Sequence, residues 1–340
     1  MDERLAAIAA QLLGRPVVRV EAGRAGGNNR IVRVEDADGG LHALKFYPPQ
    51  AEDPRDRLGA EFEALSFLWR RGERAIPQPI ARAPADNCAL YAWVEGEPPA
   101  ATPDSVGHLA HFLARIQEFA SHPEAAALRS ASASVFAAAE VITQLRTRRA
   151  RLDDPLARTP DLDRFLADGF DPLAARLTAA AVNGYERAGL SVDAPLTSGQ
   201  RVLSPSDFGF HNALSGPGGR LAFVDFEYFG WDDPVKAAAD VMLHPGMDLS
   251  PALGRDFLAG VEPTFSRRDE CFITRLGLLY PLFALIWCLI VLNEFLPERW
   301  ARRAAAGAGD RIEAQARQLA KARTRLDLIR ETNDRNPVFP

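Results

Sequence analysis

The sequence predicts an α+β protein in two parts, a small antiparallel sheet over residues 1–95 and a larger, mainly helical region over 96–340. Two observations carry this. Short runs with strand patterning, punctuated by tight-turn signals, crowd the chain before Pro99, and the composition becomes Ala- and Leu-rich after Pro103. A length of 340 residues also exceeds one small core.

Taken in order, Leu5, Ile8, Ala9 and Leu12 fall at helical spacing and predict a short amphipathic helix over Asp2–Leu13. Val17–Glu21, Arg30–Glu35 and Leu41–Tyr47 read as three strands, the last two joined by the turn Asp36-Ala-Asp-Gly-Gly40. Between the first two lies Ala22-Gly-Arg-Ala-Gly-Gly-Asn-Asn29. Its glycines allow the backbone to approach a phosphate and turn N–H groups toward it, although such loops are also ordinary hairpin turns. Lys45 lies inside the third strand, and a lysine there needs a partner if its face is covered.

Pro49 and Pro54 break the chain, and Arg55–Arg70 reads as a helix with Leu58, Phe62, Leu65, Leu68 and Trp69 on its apolar side. Glu61 and Glu63 both sit on it. Glu61, one turn before Leu65, borders the side facing the sheet and is the better partner for Lys45. Ile76–Ile80 reads as an extended connector and Cys88–Val94 as a further strand, stopped by Glu95-Gly-Glu-Pro-Pro99, where the domain boundary is placed.

Beyond Pro103, helices are expected over Ser105–Phe119, Ala131–Leu152, Leu162–Ala188, the apolar Ile273–Phe295 and the charged Asp310–Glu331. Within this region Ser204–Leu214 and Phe223–Glu227 place Asp207, Asn212 and Asp225 five and then thirteen residues apart. Ser215-Gly-Pro-Gly-Gly219 supplies a turn, so a hairpin brings Asn212 near Asp225 with Asp207 on the loop before it. Two oxygen ligands and a separate carboxylate fit a site that holds magnesium against phosphate oxygens while a base accepts a hydroxyl proton.

Composition narrows the function classes. Apolar content of 47% and charged content of 25% are those of an ordinary globular protein, and a net charge of −5 without a dense basic patch argues against a nucleic-acid binder. The basic run Arg146–Arg151 reads as a solvated helix face. Cys88, Cys271 and Cys288 form no ligand pattern and suit free thiols in a reducing cytoplasm. No signal peptide is expected at Met1–Ile8. Leu276–Leu292 is uncharged but short and contains Pro281, so a core helix is expected rather than membrane insertion, with an oligomeric contact as the lesser reading.

The order of glycine-rich hairpin, strand lysine, helix glutamate, Asp-x4-Asn and Asp-Phe-Glu resembles the aminoglycoside phosphotransferase and choline kinase family, a branch of the protein-kinase-like fold. The resemblance runs from about Val17 to about Pro245. It implies ATP held at Gly26, Gly27 and Asn28, by Lys45 on the α- and β-phosphates with Glu61 orienting it, and beside a connector that includes Trp93 and Val94. It further implies Asp207 as catalytic base and Mg2+ on Asn212 and Asp225. The partner would be a small-molecule hydroxyl acceptor, and a homo-oligomer is compatible with the sequence.

The sequence departs from the family pattern in two places. Pro205-Ser206 stand where relatives have His-Gly before the aspartate, and His211 is not at the same place. Ala237 stands where a structural aspartate is usual, with Asp240 as a substitute from the next turn or a solvent-facing acid. Trp231, Asp232, Tyr280, Trp287, Asn293, Glu294 and Trp300 are candidates to line an acceptor pocket, where aromatic faces and carboxylates suit a cationic amine. A non-catalytic nucleotide-binding relative is the alternative. A protein kinase is disfavoured because no activation segment separates Asp225 from Asp233-Pro234.

Overall fold

The computed structural model describes residues 2–23, 29–49, 53, 55–305 and 309–335. The chain divides into two compact units. One comprises Met1–Ser134, Val202–Asp232 and Gly246–Thr264, the other Val135–Arg201, Asp233–Pro245 and Phe265–Pro340.

The first unit begins with α1 (Glu3–Leu13), capped by Asp2, whose side chain accepts from the Leu5 N–H. Strands β1 (Val17–Ala22), β2 (Arg30–Asp36) and β3 (Leu41–Phe46) follow, then α2 (Arg57–Arg70), β4 (Pro79–Ala83) and β5 (Cys88–Ala92). They form a five-stranded antiparallel sheet in the order β1-β2-β3-β5-β4. Alternation sorts its side chains. Val32, Val34, Leu44, Cys88 and Leu90 join Leu5 and Ala9 of α1 in one apolar cluster, so Lys45, next to Leu44, lies on the opposite face. Strand β4 begins where an extended connector was expected. Pro79 can sit there because β4 is an edge strand, where the missing N–H interrupts no inner ladder.

Helix α3 (Pro103–Gln117) starts with a capping box in which Thr102 and Ser105 satisfy each other's backbone N–H. Its Phe112 stacks on Phe208 and tilts against Phe223, with ring centroids 5.4 Å and 4.6 Å apart. The expected helix from Ala131 begins only at Ala138. Ala131 N–H donates to Trp231 C=O at 2.9 Å and Ser132 N–H to Tyr228 C=O at 3.0 Å, so strand-like pairing overrides the helical preference of an Ala-rich stretch.

In the second unit, α4 (Ala138–Arg151) precedes α5 (Pro160–Arg164), a π-helical turn at Phe165–Phe170, and α6 (Asp171–Arg187). The first unit then receives the short strands β6 (Val202–Ser204), β7 (Ala213–Ser215), β8 (Leu221–Phe223) and β9 (Gly230–Asp232), β6 pairing with β9 and β7 with β8. There follow α7 (Pro234–Leu243), α8 (Pro251–Arg268), α9 (Phe272–Val291), α10 (Pro297–Ala305) and α11 (Arg311–Arg335). Helix α9 is the axis of the second unit, packed by α4, α6, α7 and α11. The segment Phe272–Phe295 is long and apolar enough to cross a membrane by length and composition. Yet Leu276, Leu279, Leu282, Leu285 and Cys288 are fully buried, which makes α9 a core helix.

Candidate active site

Lys45 is buried on the α2 side of the sheet. Its ammonium donates to Glu61 Oε2 at 2.5 Å and to Asp225 Oδ1 at 2.6 Å. The helical argument for Glu61 holds, because Glu61 is 3% exposed while Glu63 is 48% exposed and pairs with Arg82 and Arg129. Burial disfavours charge on Lys45, but Glu61 and Asp225 outweigh it and hold the lysine above its ordinary pKa. Burial pushes Glu61 up to about 7 against the pull of Lys45. Tyr47 supports this carboxylate: its hydroxyl donates to Glu61 at 2.9 Å and accepts from Tyr91 at 2.7 Å. Burial lifts both tyrosines well above their ordinary range, so both stay protonated donors.

The Asp-Phe-Glu segment is set by the β7–β8 hairpin. Val224 N–H donates to Asn212 C=O at 2.9 Å, which continues the ladder to the residue before Asp225. Asp225 takes a left-handed backbone (φ 68°), which aspartate tolerates better than most residues, and its carboxylate keeps 32% exposure. Phe226 and Phe229 are buried on either side of Glu227-Tyr228 and anchor the turn.

Glu227 entered the sequence reading only as the end of Asp-Phe-Glu, and its pairing with Arg57 and Asn29 was not foreseen. It is buried and accepts from Arg57 Nη1 at 2.6 Å and Asn29 Nδ2 at 2.8 Å, while Arg57 Nε also donates to Asp53 at 2.9 Å. Arg57 lies one helical turn before Glu61, so this pairing ties the start of α2 to Asp-Phe-Glu. Asn29 ends the glycine-rich stretch in sequence; Gly26, Gly27 and Asn28 lie outside the described residues. Nothing local signals the pair, because 170 residues separate its members.

The Asp207 loop has its own scaffold in place of His-Gly. Ser206 adopts a left-handed backbone (φ 68°), its N–H donates to Ser204 Oγ at 3.0 Å and its hydroxyl to Ser132 C=O at 3.2 Å. Asp207 N–H closes on Pro205 C=O at 3.0 Å. Gln117 of α3 holds the entering strand through both its N–H and its C=O at Leu203, each at 2.8 Å. After Asp207 the chain makes a 3-10 turn, Phe210–Asn212. Asn212 Nδ2 donates to Asp207 C=O at 2.9 Å, which turns the amide oxygen into the ligand end of that side chain. A carboxylate on Asp225 and an amide oxygen on Asn212 are hard oxygen donors of the kind magnesium accepts.

Trp93 and Val94 continue from β5, both half-buried, with Trp93 N–H donating to Leu41 C=O at 3.0 Å and the Arg33 guanidinium 5.6 Å from the Trp93 ring centre. The connector is then pinned to the hairpin. Glu97 and Ser215 exchange backbone hydrogen bonds at 3.1 Å and 2.7 Å, and a Cβ on Gly96 would meet Ser215 O at 2.7 Å.

The acceptor candidates are less uniform. Trp231 gives its indole N–H to Ala125 C=O at 2.9 Å, and Asp232 is buried. In the second unit Trp287 donates to Asp240 at 3.0 Å and lies edge-on to His244, and Glu294 is buried beside Arg303. Burial lifts Tyr280 to about 12. Asp240 is no solvent-facing acid: it accepts from Lys236 at 2.8 Å as well as from Trp287.

The profile of the phosphotransferase enzyme family matches residues 19–271. No curated protein sequence matches the chain significantly. Among solved structures, a spectinomycin phosphotransferase in complex with ADP and spectinomycin superposes with a TM-score of 0.61 at 14% identity, over 95% of this chain and 98% of that one. A macrolide 2'-phosphotransferase from Brachybacterium faecium gives 0.61 at 17% identity, over 93% of this chain and 98% of that one. The choline kinase LicA from Streptococcus pneumoniae gives 0.58 at 17% identity, over 96% and 99%. These likenesses establish the protein-kinase-like fold.

Proposed function

The chain belongs to the phosphotransferase enzyme family and is a small-molecule kinase, and we propose that it moves the γ-phosphoryl group of ATP to a hydroxyl of a sugar, amino sugar or amino alcohol. The observation that carries this reading is the Lys45 bridge. One ammonium joins carboxylates 16 and 180 residues away, gathering the strand, helix and hairpin features into one place.

In this reading residues 1–95 serve as the nucleotide-binding lobe, with the glycine-rich turn over the phosphates and Trp93 and Val94 beside the adenine. Residues 96–340 carry the catalytic loop and the acceptor site. Lys45 holds the α- and β-phosphates, and Glu61 fixes its direction. Asn212 and Asp225 would hold Mg2+, which when bound supplies neutralising charge at the phosphate oxygens. Asp207 accepts the hydroxyl proton as the acceptor oxygen bonds to phosphorus and the bond to the leaving ADP oxygen breaks. Positioning and charge neutralisation provide most of the acceleration, so no covalent nucleophile is needed. The free thiols of Cys88, Cys271 and Cys288 accord with a reducing cytoplasmic setting.

Magnesium-dependent ATP consumption across choline, ethanolamine, sugars, spectinomycin, aminoglycosides and macrolides tests the assignment. Asp207→Ala is expected to lower transfer by about 10²–10⁴-fold while leaving ATP affinity near the parent value. Parental turnover in that variant would sink Asp207 as the base.

A further inference from the structure

We propose that His211 is a positioning residue for Asp207, holding its carboxylate through a contact from the C-terminal side of the loop, beside the backbone support that Pro205 and Ser206 give from the N-terminal side. This rests on the reading of Asp207 as the base. His211 Nε2 lies 2.9 Å from Asp207 Oδ1. A carboxylate only accepts, so the imidazole presents an Nε2–H to it and fixes the tautomer.

Three features of the loop build the seat. The 3-10 turn Phe210–Asn212 brings residue 211 back over residue 207, with Asn212 N–H donating to Gly209 C=O at 3.0 Å. Phe210 and Met247 anchor it from below, both buried, with Phe210 N–H on Met247 Sδ at 3.0 Å. Gly209 leaves the room. A Cβ there would meet His211 Cε1 and Nδ1 at 3.0 Å and Met247 Sδ at 2.4 Å. A side chain at 209 would therefore move the imidazole or the methionine. Glycine's backbone freedom is not the reason, since φ at 209 is 162°, an extended value.

The consequence for the carboxylate is directional. One oxygen is engaged by the imidazole N–H, so rotation about χ2 of Asp207 is restrained, and in its proposed role the carboxylate would meet an acceptor hydroxyl in a constant orientation. A base held in this way loses little orientational freedom when the acceptor arrives. His211 thus acts through Asp207.

The test compares His211→Leu, which keeps bulk but has no donor, with His211→Gln, whose Nε2–H reaches a similar distance. Both are measured beside Asp207→Asn, with ATP, magnesium and whichever compound of the screen is turned over fastest. His211→Leu is expected to lower kcat by about 10- to 100-fold with KM for ATP and thermal midpoint near parental values, and His211→Gln to restore most of it. Parental kcat in His211→Leu, with Asp207→Asn inactive, overturns the role of His211 alone. Parental kcat in Asp207→Asn overturns the base assignment and the proposal with it. Equal losses of kcat in both His211 variants, accompanied by equal drops in thermal midpoint, assign the residue to loop stability and also overturn the proposal.

Discussion

Each compact unit holds a buried cation between two carboxylates, and the two arrangements are finished differently. In the second unit Arg275 pairs with Asp233 and Asp269, both 1% exposed. Each acid has further backbone partners: Asp233 takes the Val235 N–H at 2.7 Å at the start of α7, and Asp269 the Cys271 N–H at 3.1 Å before α9. Nothing there is left open. In the first unit Lys45 pairs with Glu61, equally buried, but its other carboxylate, Asp225, is 32% exposed on a left-handed turn. A closed triad locks helix ends together. A triad with one open arm retains an oxygen for a ligand, and strained backbone of this kind concentrates at working sites. The cations differ accordingly: Arg275 offers a planar fork matched to two fixed acids, whereas Lys45 is a point charge that can turn between partners.

The sharpest way to break this comparison is a pair of charge removals. Lys45→Met is expected to reduce turnover by at least about 10²-fold, because the phosphate positioning and charge neutralisation proposed for it would both go. Its stability should change less, since Glu61, already pushed to about 7 by burial, takes a proton when its partner is removed. Arg275→Met leaves two buried acids without a cation and is expected to lower unfolding free energy by about 3–5 kcal/mol. Urea unfolding and steady-state kinetics on both variants decide it. If Lys45→Met proves the less stable of the two, the open and closed triads do the same job.

A smaller effect sharpens the open arm. Glu61 sits at about 7 in the fold against 4.5 ordinarily, so it must lose a proton before it pairs fully with Lys45. The expected kcat/KM for ATP therefore rises with pH through about 7. Stability runs the other way: between 4.5 and 7 the folded protein binds more protons than the unfolded chain, so unfolding free energy falls as pH rises across that window and levels off above it. Tyr47→Phe deletes the hydroxyl that donates to the charged carboxylate, and should move the activity limb to higher pH. A limb that stays in place would show that Tyr47 only fills space.

How much of this was legible follows from which forces set each part. Strand alternation, turn residues and helical spacing are local, so the sheet around Lys45 and the inward side of α2 could be read directly from β3 and from Glu61 against Leu65. That Asp225 and Lys45 serve one site was reachable only through a family pattern, and their direct contact was not foreseen, because no local rule links positions 180 apart. Arg57–Glu227 had no such pattern and was missed. So was the contact of His211 with Asp207, which depends on a 3-10 turn and a missing Cβ at Gly209 rather than on periodicity. Ala131–Ala137 read as helix because propensity knows nothing of the backbone hydrogen bonds offered by Tyr228 and Trp231. Edge pairing likewise hid β4 behind its proline.

The mildest prediction bears on the same helix as the open triad. Glu63 lies two residues from Glu61 and is chemically almost identical, yet the 100° step per residue carries it round to solvent. There it meets Arg129 at 2.9 Å and Arg82 at 3.4 Å, in exposed pairs where water competes for both partners. Glu63→Gln should cost about 0.2–1 kcal/mol in urea unfolding and leave kcat and KM for ATP at parental values. Glu61→Gln, by contrast, keeps the shape but withdraws the negative charge from Lys45, and should raise KM for ATP and lower kcat together. If the two glutamine variants behaved alike, helix phase would not be what separates a site residue from a surface one here. The distinction would then have to come from the Tyr47 hydroxyl, which reaches Glu61 and which Tyr47→Phe removes independently.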